Sequence, residues 1–593
     1  MIFKQVLLVL SSLCLACSGS PLDQMHRALG NLFKDHANTT IIQVRHFDPD
    51  EYMLPIDPGS GQQKIIPIAT NGATVVKLFV RTTGPAPAEP DPFSGTDVGV
   101  ELWFPDPDTW TSRIINFVDD AFQGSPFVTL PDMSGLPMYP TIQYSEWASK
   151  MGFVAAISNG GHFSRYPFPS WYLPSVNTSY LLTADNQYND EGWKNFAYQG
   201  NHIMAEVSKQ ISKEYYGKSH NSAYLAGCST GGRQVYQIAQ DIPEDYDGYL
   251  VSAPSFNGSY FYGSIAYDNI VVNNDLVPIN ETISEIQLEI VSQKAVAHHD
   301  TVITGQHDGY ITEWQHNDYD PTKDPSVLRL EDGGHCNETW ALSLTQAKAL
   351  NKIWYGVTVD GSVPDVAEDN GMNLVRPTNQ LYWGKARGSQ LQFVNTLCQV
   401  PGLVWPLLFL NRTLGDPGYF EGGQNVWKDF SYKQFADYVK KAAEEDIDKK
   451  HLYNMDILNP DLRKIQSLGK KILVYHGTAD YTSPVGHVAL YYEESAEYTG
   501  GMIKTADFHR VFFVPGMTHC SLTSNQAGQA AIPFPSALEL IGKLVAWVET
   551  GVAPDHIMAT TPDEKKSRPI CPYPKLPKYD GVGDVNSATS FSC

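Results

Sequence analysis

A serine, an aspartate and a histidine stand at three points where a chain of this kind can do acyl-transfer chemistry. Ser229 lies in Gly227-Cys228-Ser229-Thr230-Gly231, between an apolar run (Ala223-Tyr224-Leu225-Ala226) and a helix-type pattern at Val235, Ile238 and Ala239. That is the strand–turn–helix setting a G-x-S-x-G nucleophile elbow requires. Asp480 closes Lys471-Ile472-Leu473-Val474-Tyr475-His476-Gly477-Thr478-Ala479-Asp480, and His519 closes Arg510-Val511-Phe512-Phe513-Val514-Pro515-Gly516-Met517-Thr518-His519. Each is an apolar strand ending in a loop that delivers a polar side chain. Serine is a poor nucleophile at neutral pH unless a base touches it, and the base needs a carboxylate to fix its tautomer. The reading is Ser229 as nucleophile, His519 as base and then acid, and Asp480 as the orienting carboxylate. The order Ser, Asp, His is that of the α/β-hydrolases and not of the chymotrypsin or subtilisin types. Taken singly, each residue has an ordinary structural use, as a helix-start serine, a turn aspartate or a histidine beside a cysteine.

The neighbours sharpen the assignment. Cys228 immediately precedes Ser229 and Cys520 immediately follows His519, although only six cysteines lie outside the N-terminal segment. If Ser229 and His519 work within hydrogen-bonding reach, a Cys228–Cys520 disulfide is geometrically natural.

Gly-Cys-Ser-Thr-Gly-Gly-Arg at 227–233, His-Gly-Thr-Ala-Asp at 476–480 and Pro-Gly-Met-Thr-His-Cys at 515–520 together resemble the CS-D-HC signature of the tannase and feruloyl esterase family. The resemblance runs from about Val100 to Cys593 and is strongest at Tyr198–Pro254 and Ile472–Cys520. It implies an α/β-hydrolase core with a large inserted lid, acylation of Ser229, and a bridge between Cys228 and Cys520. It also implies a substrate class of aromatic carboxylic esters, either hydroxycinnamoyl (feruloyl) esters of plant cell-wall sugars or galloyl esters of tannins.

With 593 residues the chain is too long for one simple core, so a catalytic domain with a substantial insertion is expected. A net charge of −23 argues against nucleic acid and anionic membrane as partners. Met1-Ile2-Phe3-Lys4, the apolar stretch Val6 to Ala16 and the small residues Ala16-Cys17-Ser18-Gly19-Ser20 read as a signal peptide over 1–20. The apolar stretch is too short to span about 30 Å of bilayer. Sequons at Asn38, Asn177, Asn257, Asn280, Asn337 and Asn411 suit a secreted glycoprotein. Six remaining cysteines form an even set for an oxidising compartment. If Cys228 pairs with Cys520, Cys571 and Cys593 would close a tail loop, leaving Cys336 and Cys398 to each other.

The elements that must position the triad follow from apolar patterning. Thr40–Val44 and Ala73–Val80 are strand-like fragments within an N-terminal segment, 21–95, expected to pack on the core. A Pro-rich stretch at Gly84–Pro92 follows. Val98–Phe104 alternates as an antiparallel strand, while Arg113–Val118, Gly152–Ser158 and Tyr249–Pro254 read as buried sheet strands. Gly192–Ile211 is a helix expected just before the elbow. The catalytic domain is read as 96–254 and 466–593, interrupted by an inserted lid at 255–465. In the insertion, Thr282-x-x-Glu285 reads as a capping box. Thr345 opens a helix that runs to Gly356, and Ser431–Ala443 carries an apolar face. The last helix is Ser536–Glu549.

The Thr230 N–H is the first choice of oxyanion donor. The second is expected after Arg113–Val118, where the family's Gly-Asn-Gly-Gly type stretch is replaced by Asp119-Asp120-Ala121-Phe122-Gln123-Gly124; Gly124 or a neighbour would serve. Ser158-Asn159-Gly160-Gly161-His162 is similar to a family Thr-Asp-x-Gly-His loop, and His162 reads as a structural or substrate-side histidine because it precedes the nucleophile. No cofactor is required by this chemistry. The resemblance implies a calcium loop of the form Cys-Asp-x-Leu-Asp-Gly-x-x-Asp-Gly near residues 299–309. This chain keeps Asp300 and Asp308-Gly309 but has lost the bracketing cysteines and has Thr304 at a ligand position, so the loop reads as degraded; a structural calcium stays open here and no metal ligands are assigned. The reading is therefore a secreted serine carboxylesterase, of open oligomeric state, acting on a small aromatic or plant polysaccharide or polyphenol ester. Its rivals are a secreted serine peptidase of the same fold and a catalytically silent binding module.

Overall fold

The structure, a computed structural model, describes residues 20–35, 37–48, 53–56, 63–65, 72–82, 97–118, 148, 151–161, 179–183, 187–389, 391, 401–417, 420, 422–444, 459–520 and 532–593. The signal-peptide reading, the Pro-rich stretch, Asp119–Gly124, His162, Asn177 and Cys398 lie outside these residues.

Nine strands among them form one sheet: β1 (Thr39–Phe47), β2 (Ala73–Val80), β3 (Val98–Pro105), β4 (Arg113–Val118), β5 (Phe153–Ser158), β6 (Ser222–Cys228), β7 (Gly248–Ser252), β8 (Lys471–Gly477) and β9 (His509–Val514). Their spatial order is β1-β2-β3-β5-β4-β6-β7-β8-β9. β1, β2, β3 and β5 pair antiparallel, and every pair from β5 onward is parallel. The sequence dictates this division. β4 through β8 are almost wholly apolar, as strands covered by helices on both faces must be. β1, at the edge, is mostly half-buried, with Ile41 and Ile42 exposed, and carries a bulge between Ile41 and Gln43. β1 and β2 belong to the N-terminal segment, which therefore reaches the core as sheet strands and not only as a packed layer.

Helices Pro21–Phe33, Gly200–Tyr216, Thr230–Asp241 and Val485–Thr499 contribute to one hydrophobic layer against the sheet, and Ala537–Thr550 to the other. The segment read as a helix at Gly192–Ile211 is helical throughout, but not as one regular α-helix. Asp190–Lys194 runs through a wide turn at Asn195–Gln199 into Gly200–Tyr216. Between β7 and β8 the chain builds helices Gly258–Val271, Glu285–His299, Leu344–Tyr355, Pro401–Leu408 and Tyr432–Glu444, and a short ladder of Gly356–Thr358 with Gln380–Trp383. They share a separate hydrophobic cluster that includes Trp354, Trp383, Trp405, Trp427 and Phe435. The helix near 285 is capped by Ser284 with Gln287, not by Thr282 with Glu285. Both pairs satisfy the box pattern, but the Ser284 backbone takes the extended conformation an N-cap needs.

Among the described residues two disulfides are present, Cys228–Cys520 and Cys571–Cys593. Cys336 is buried and free; Cys398, its expected partner, lies outside the described residues.

The core also contains histidines held neutral. Burial pushes His487 and His509 down to about 3, and lowers His476 as well. His509 sits between the Tyr236 hydroxyl at 2.8 Å and the Tyr492 ring at 5.0 Å. For each, the native pKa lies below the unfolded value of about 6.5, so the unfolded chain binds more protons between those values. Stability contributed by the neutrality of His487 and His509 is therefore complete above about pH 6.5 and falls as pH drops toward about 3. Each fully buried histidine adds about 1.4 kcal/mol per pH unit to the slope within that window. We predict that His509→Gln, compared with wild type by urea unfolding from pH 7 to pH 4, flattens the acid slope by about that amount. An unchanged slope would show that His509 takes up no proton on unfolding.

Candidate active site

Ser229 sits on the turn between β6 and helix Thr230–Asp241, at φ 58° and ψ −123°. Positive φ costs a residue with a Cβ, and it persists only where neighbours fix it. Here the Ser229 N–H donates to Ser252 O (3.1 Å), while Ser229 O accepts from the N–H groups of Arg233 (2.9 Å) and Ser255 (3.2 Å). Gly232 makes the crossing of helix and sheet feasible, because a Cβ there would lie 2.3 Å from Ser252 O. Gly227 serves likewise: its Cβ would lie 2.7 Å from the Gly231 backbone.

β8 and β9 deliver the other two residues side by side. The Thr478 N–H donates to Val514 O (3.0 Å) and the Ala479 N–H to Met517 O (3.1 Å), stacking one loop on the other. Gly477 permits that approach, since a Cβ there would lie 2.1 Å from Met517 O. His519 Nε2 accepts from the Ser229 hydroxyl at 2.9 Å, and its Nδ1–H donates to Asp480 Oδ2 at 2.8 Å. The structure thus brings together the three residues singled out from sequence, with Cys228 and Cys520 joined behind Ser229 and His519. Thr230, buried, is the first residue of its helix. Its N–H has no intrahelical acceptor and lies at the positive end of the helix dipole.

Residues the sequence reading passed over complete the site. Asp480 is fully enclosed. Its Oδ1 accepts from the N–H groups of Thr482 (2.7 Å) and Ser483 (2.8 Å), leaving Oδ2 for His519. Burial opposes its charge most strongly, but His519, His476 and the Ser483 N–H outweigh it and hold the carboxyl below the usual range. His476 Nε2–H donates to Ser483 O (3.0 Å), lies 3.5 Å from Asp480 Oδ2, and braces the same turn from beneath. The Ser483 hydroxyl donates to Ala253 O (3.1 Å), tying this turn to the segment after β7. The clue was present in His-Gly-Thr-Ala-Asp, whose first residue had been given no role.

Asn159 occupies the Thr-Asp-x-Gly-His position and is structural. Its Oδ1 accepts from the N–H groups of Gly99 (2.8 Å) and Gly161 (2.9 Å), a task an amide oxygen performs as well as a carboxylate. The residues of the degraded calcium loop do not fit a metal. Both aspartates are engaged by donors of the chain itself, as detailed below, and no group of three His, Cys, Asp or Glu among the described residues could hold an ion.

A mostly parallel sheet with a serine elbow after β6, a carboxylate after β8 and a histidine after β9 is an α/β-hydrolase. Residues 89–593 match the model of the family described as tannase and feruloyl esterase, and the chain belongs to that family. It is a carboxylic ester hydrolase. A protein named probable feruloyl esterase from Arthroderma benhamiae is 27% identical over 509 residues, covering 84% of this chain and 82% of its own. A mono(2-hydroxyethyl) terephthalate hydrolase from Piscinibacter sakaiensis is 26% identical over 472 residues, covering 75% and 74%. The crystal structure of feruloyl esterase B from Aspergillus oryzae superposes with a TM-score of 0.71 at 20% identity, over 97% of this chain and 100% of that one. No helix of the described residues is long and apolar enough to cross a membrane.

Proposed function

We propose that the protein is a secreted serine carboxylesterase that hydrolyses aromatic esters of the hydroxycinnamoyl or galloyl type through Ser229, His519 and Asp480. The observation that carries this reading is the continuous hydrogen-bond line from Ser229 Oγ through the His519 ring to Asp480. As Ser229 Oγ attacks the ester carbonyl, its proton passes to His519 Nε2, and the imidazolium is stabilised by ionised Asp480. The tetrahedral oxyanion is received by the Thr230 N–H and a second donor. Collapse expels the alcohol, which takes the proton from His519 and leaves an acyl-Ser229 ester. Water, deprotonated by the same imidazole, then releases the acid and restores the serine.

The aromatic acid is supported by family membership and by the relatives, one a probable feruloyl esterase and another a mono(2-hydroxyethyl) terephthalate hydrolase. We assign the segment 255–465 the role of a lid over the nucleophile, with Tyr and Trp side chains that lie outside its buried cluster stacking on the acyl ring. The N-terminal signal and the sequons carry the secretion reading. Among the described sequons Asn38, Asn280 and Asn337 are exposed, so these are the expected glycan sites.

The test is a panel of methyl ferulate, methyl caffeate, methyl gallate, tannic acid and a peptide anilide, assayed with the secreted protein. Turnover of at least one aryl ester with none of the anilide is the expected result. Cleavage of the anilide alone would identify a peptidase instead, and silence on every substrate a binding module. Exchanging 255–465 with that of a relative of known preference should carry the preference along. Unchanged selectivity in a folded exchange would place specificity in the core loops.

A further inference from the structure

The loop from Asp300 to Gly309 carries two buried aspartates that a bound cation would otherwise need to neutralise. Each is already satisfied. Asp308 Oδ1 accepts from Arg568 Nη2–H at 3.0 Å and lies 3.6 Å from Lys566 Nζ, which donates to Asp308 O at 3.2 Å. Asp308 Oδ2 accepts from the Thr304 hydroxyl at 2.8 Å. Asp300 Oδ1 accepts from His307 Nδ1–H at 2.8 Å, and Oδ2 from the Gly309 N–H at 3.0 Å. Thr304, where the resemblance puts a coordinating aspartate, is thus a donor to the carboxylate and not a ligand.

Calcium requires six to eight oxygens about 2.4 Å away. A divalent ion on Asp308 would sit against the Arg568 guanidinium, like charge against like in a buried place. Nor is that guanidinium free to leave. Arg568 is buried in the strand Ser567–Ile570, paired with Ile557–Thr560, and its Nη1–H donates to Ser567 O at 2.9 Å. Its head lies 4.4 Å over the Phe591 ring, in the tail that Cys571–Cys593 closes.

What this lock holds bears on the triad. Immediately after Asp308 and Gly309, Tyr310 packs on Gly516; a Cβ at Gly516 would lie 2.7 Å from Tyr310 Cβ. Ile311 O accepts from the Thr478 hydroxyl at 3.3 Å, and that oxygen accepts from the Gly516 N–H at 3.0 Å. Thr478 lies two residues before Asp480 and Gly516 three before His519. One short segment therefore backs both loops that carry the acid and the base.

We propose that Arg568, assisted by Lys566, takes the place of a structural calcium in this chain. The Asp308–Arg568 pair is a built-in cation lock that makes the fold metal-independent and positions the Asp480 and His519 loops through Tyr310 and Ile311. The kinetic half of this proposal rests on the catalytic reading above. The metal half does not, and is tested without any substrate.

The full-length protein, purified without chelator, should contain far less than one calcium per chain by elemental analysis. Its Tm should move by less than about 1 °C with millimolar calcium chloride or with EGTA, since a ligand without a native site shifts no equilibrium. Stoichiometric calcium, or a rise of several degrees on adding it, overturns the proposal. Arg568→Gln should lower Tm, because it leaves the buried Asp308 carboxylate with only the more distant Lys566 as a cation. Asp308→Asn/Arg568→Gln should recover part of that loss by removing that charge. In the folded variants kcat should fall about tenfold, as loosening of the triad loops requires, with KM changed less than about twofold. Arg568→Lys should retain more kcat than Arg568→Gln. If Arg568→Gln does not accumulate, Arg568→Lys and the double variant read the same coupling. A fall in Tm with kcat untouched would reduce the lock to a structural one and remove its positioning role.

Discussion

Replacement of Ser229 by alanine should abolish ester turnover, by about six orders of magnitude if the three residues act as a unit. The fold should survive it. The Ser229 backbone is held at positive φ by bonds through its N–H and carbonyl, to Ser252, Arg233 and Ser255. Alanine keeps all of them and loses only the bond to His519. Asp480→Asn should cost about four orders of magnitude for a different reason. An asparagine oxygen can still accept the N–H groups of Thr482 and Ser483, so the turn persists. The amide then turns its NH2 toward His519 Nδ1, where a carboxylate oxygen stood. Nδ1 must become the acceptor, Nε2 takes the proton, and the base toward Ser229 is lost. Measuring kcat on an aryl ester, beside the thermal midpoint of each variant, checks both. Activity within a hundredfold of wild type in either folded variant would remove that residue from the mechanism.

How far these roles were legible beforehand depends on how local the signal is. β4, β5, β7, β8 and β9 were legible because a strand buried on both faces must be apolar throughout, and few other elements are. Ser229 and His519 were legible because each closes such a strand and has a cysteine for a neighbour. The bracing of Asp480 by His476 and Ser483 was written in the same short motif, but its physics lies in the turn and not in the residue types. Ser284 and Thr282 both fit the capping-box pattern in sequence, and only the backbone path distinguishes them. The contact of Asp308 with Arg568 spans 260 residues and left no local mark at all. β1 and β2 were visible as strands. Their place in the central sheet depends on hydrogen bonds across the chain, which apolar spacing does not encode.

Removal of the Cys228–Cys520 bridge, by changing both residues to alanine, should act on stability and on rate through separate routes. The bridge spans 292 residues of sequence, and chain entropy puts the constraint it places on the unfolded state at roughly 5 kcal/mol, less any native strain. A lowered midpoint is therefore expected whatever the chemistry. The rate effect follows from position. Cys228 is bonded to Ser229 and Cys520 to His519, so the bridge is a second covalent path between nucleophile and base, beside the 2.9 Å hydrogen bond. Among the described residues the His519 loop is also held from its N-terminal side, by Met517 O on the Ala479 N–H and by the Gly516 N–H on Thr478. Cys520 itself stands at φ 51°, a conformation its neighbours must hold. Without the bridge, His519 keeps that approach and loses its covalent tie to the elbow. A displacement near 1 Å at this point costs about a hundredfold in rate. The double variant, assayed well below its own midpoint, should show a fall in kcat of that order with KM little changed. If it instead turns over normally while its midpoint drops, the bridge serves stability alone, and the Asp480 turn and Met517 suffice to aim the imidazole.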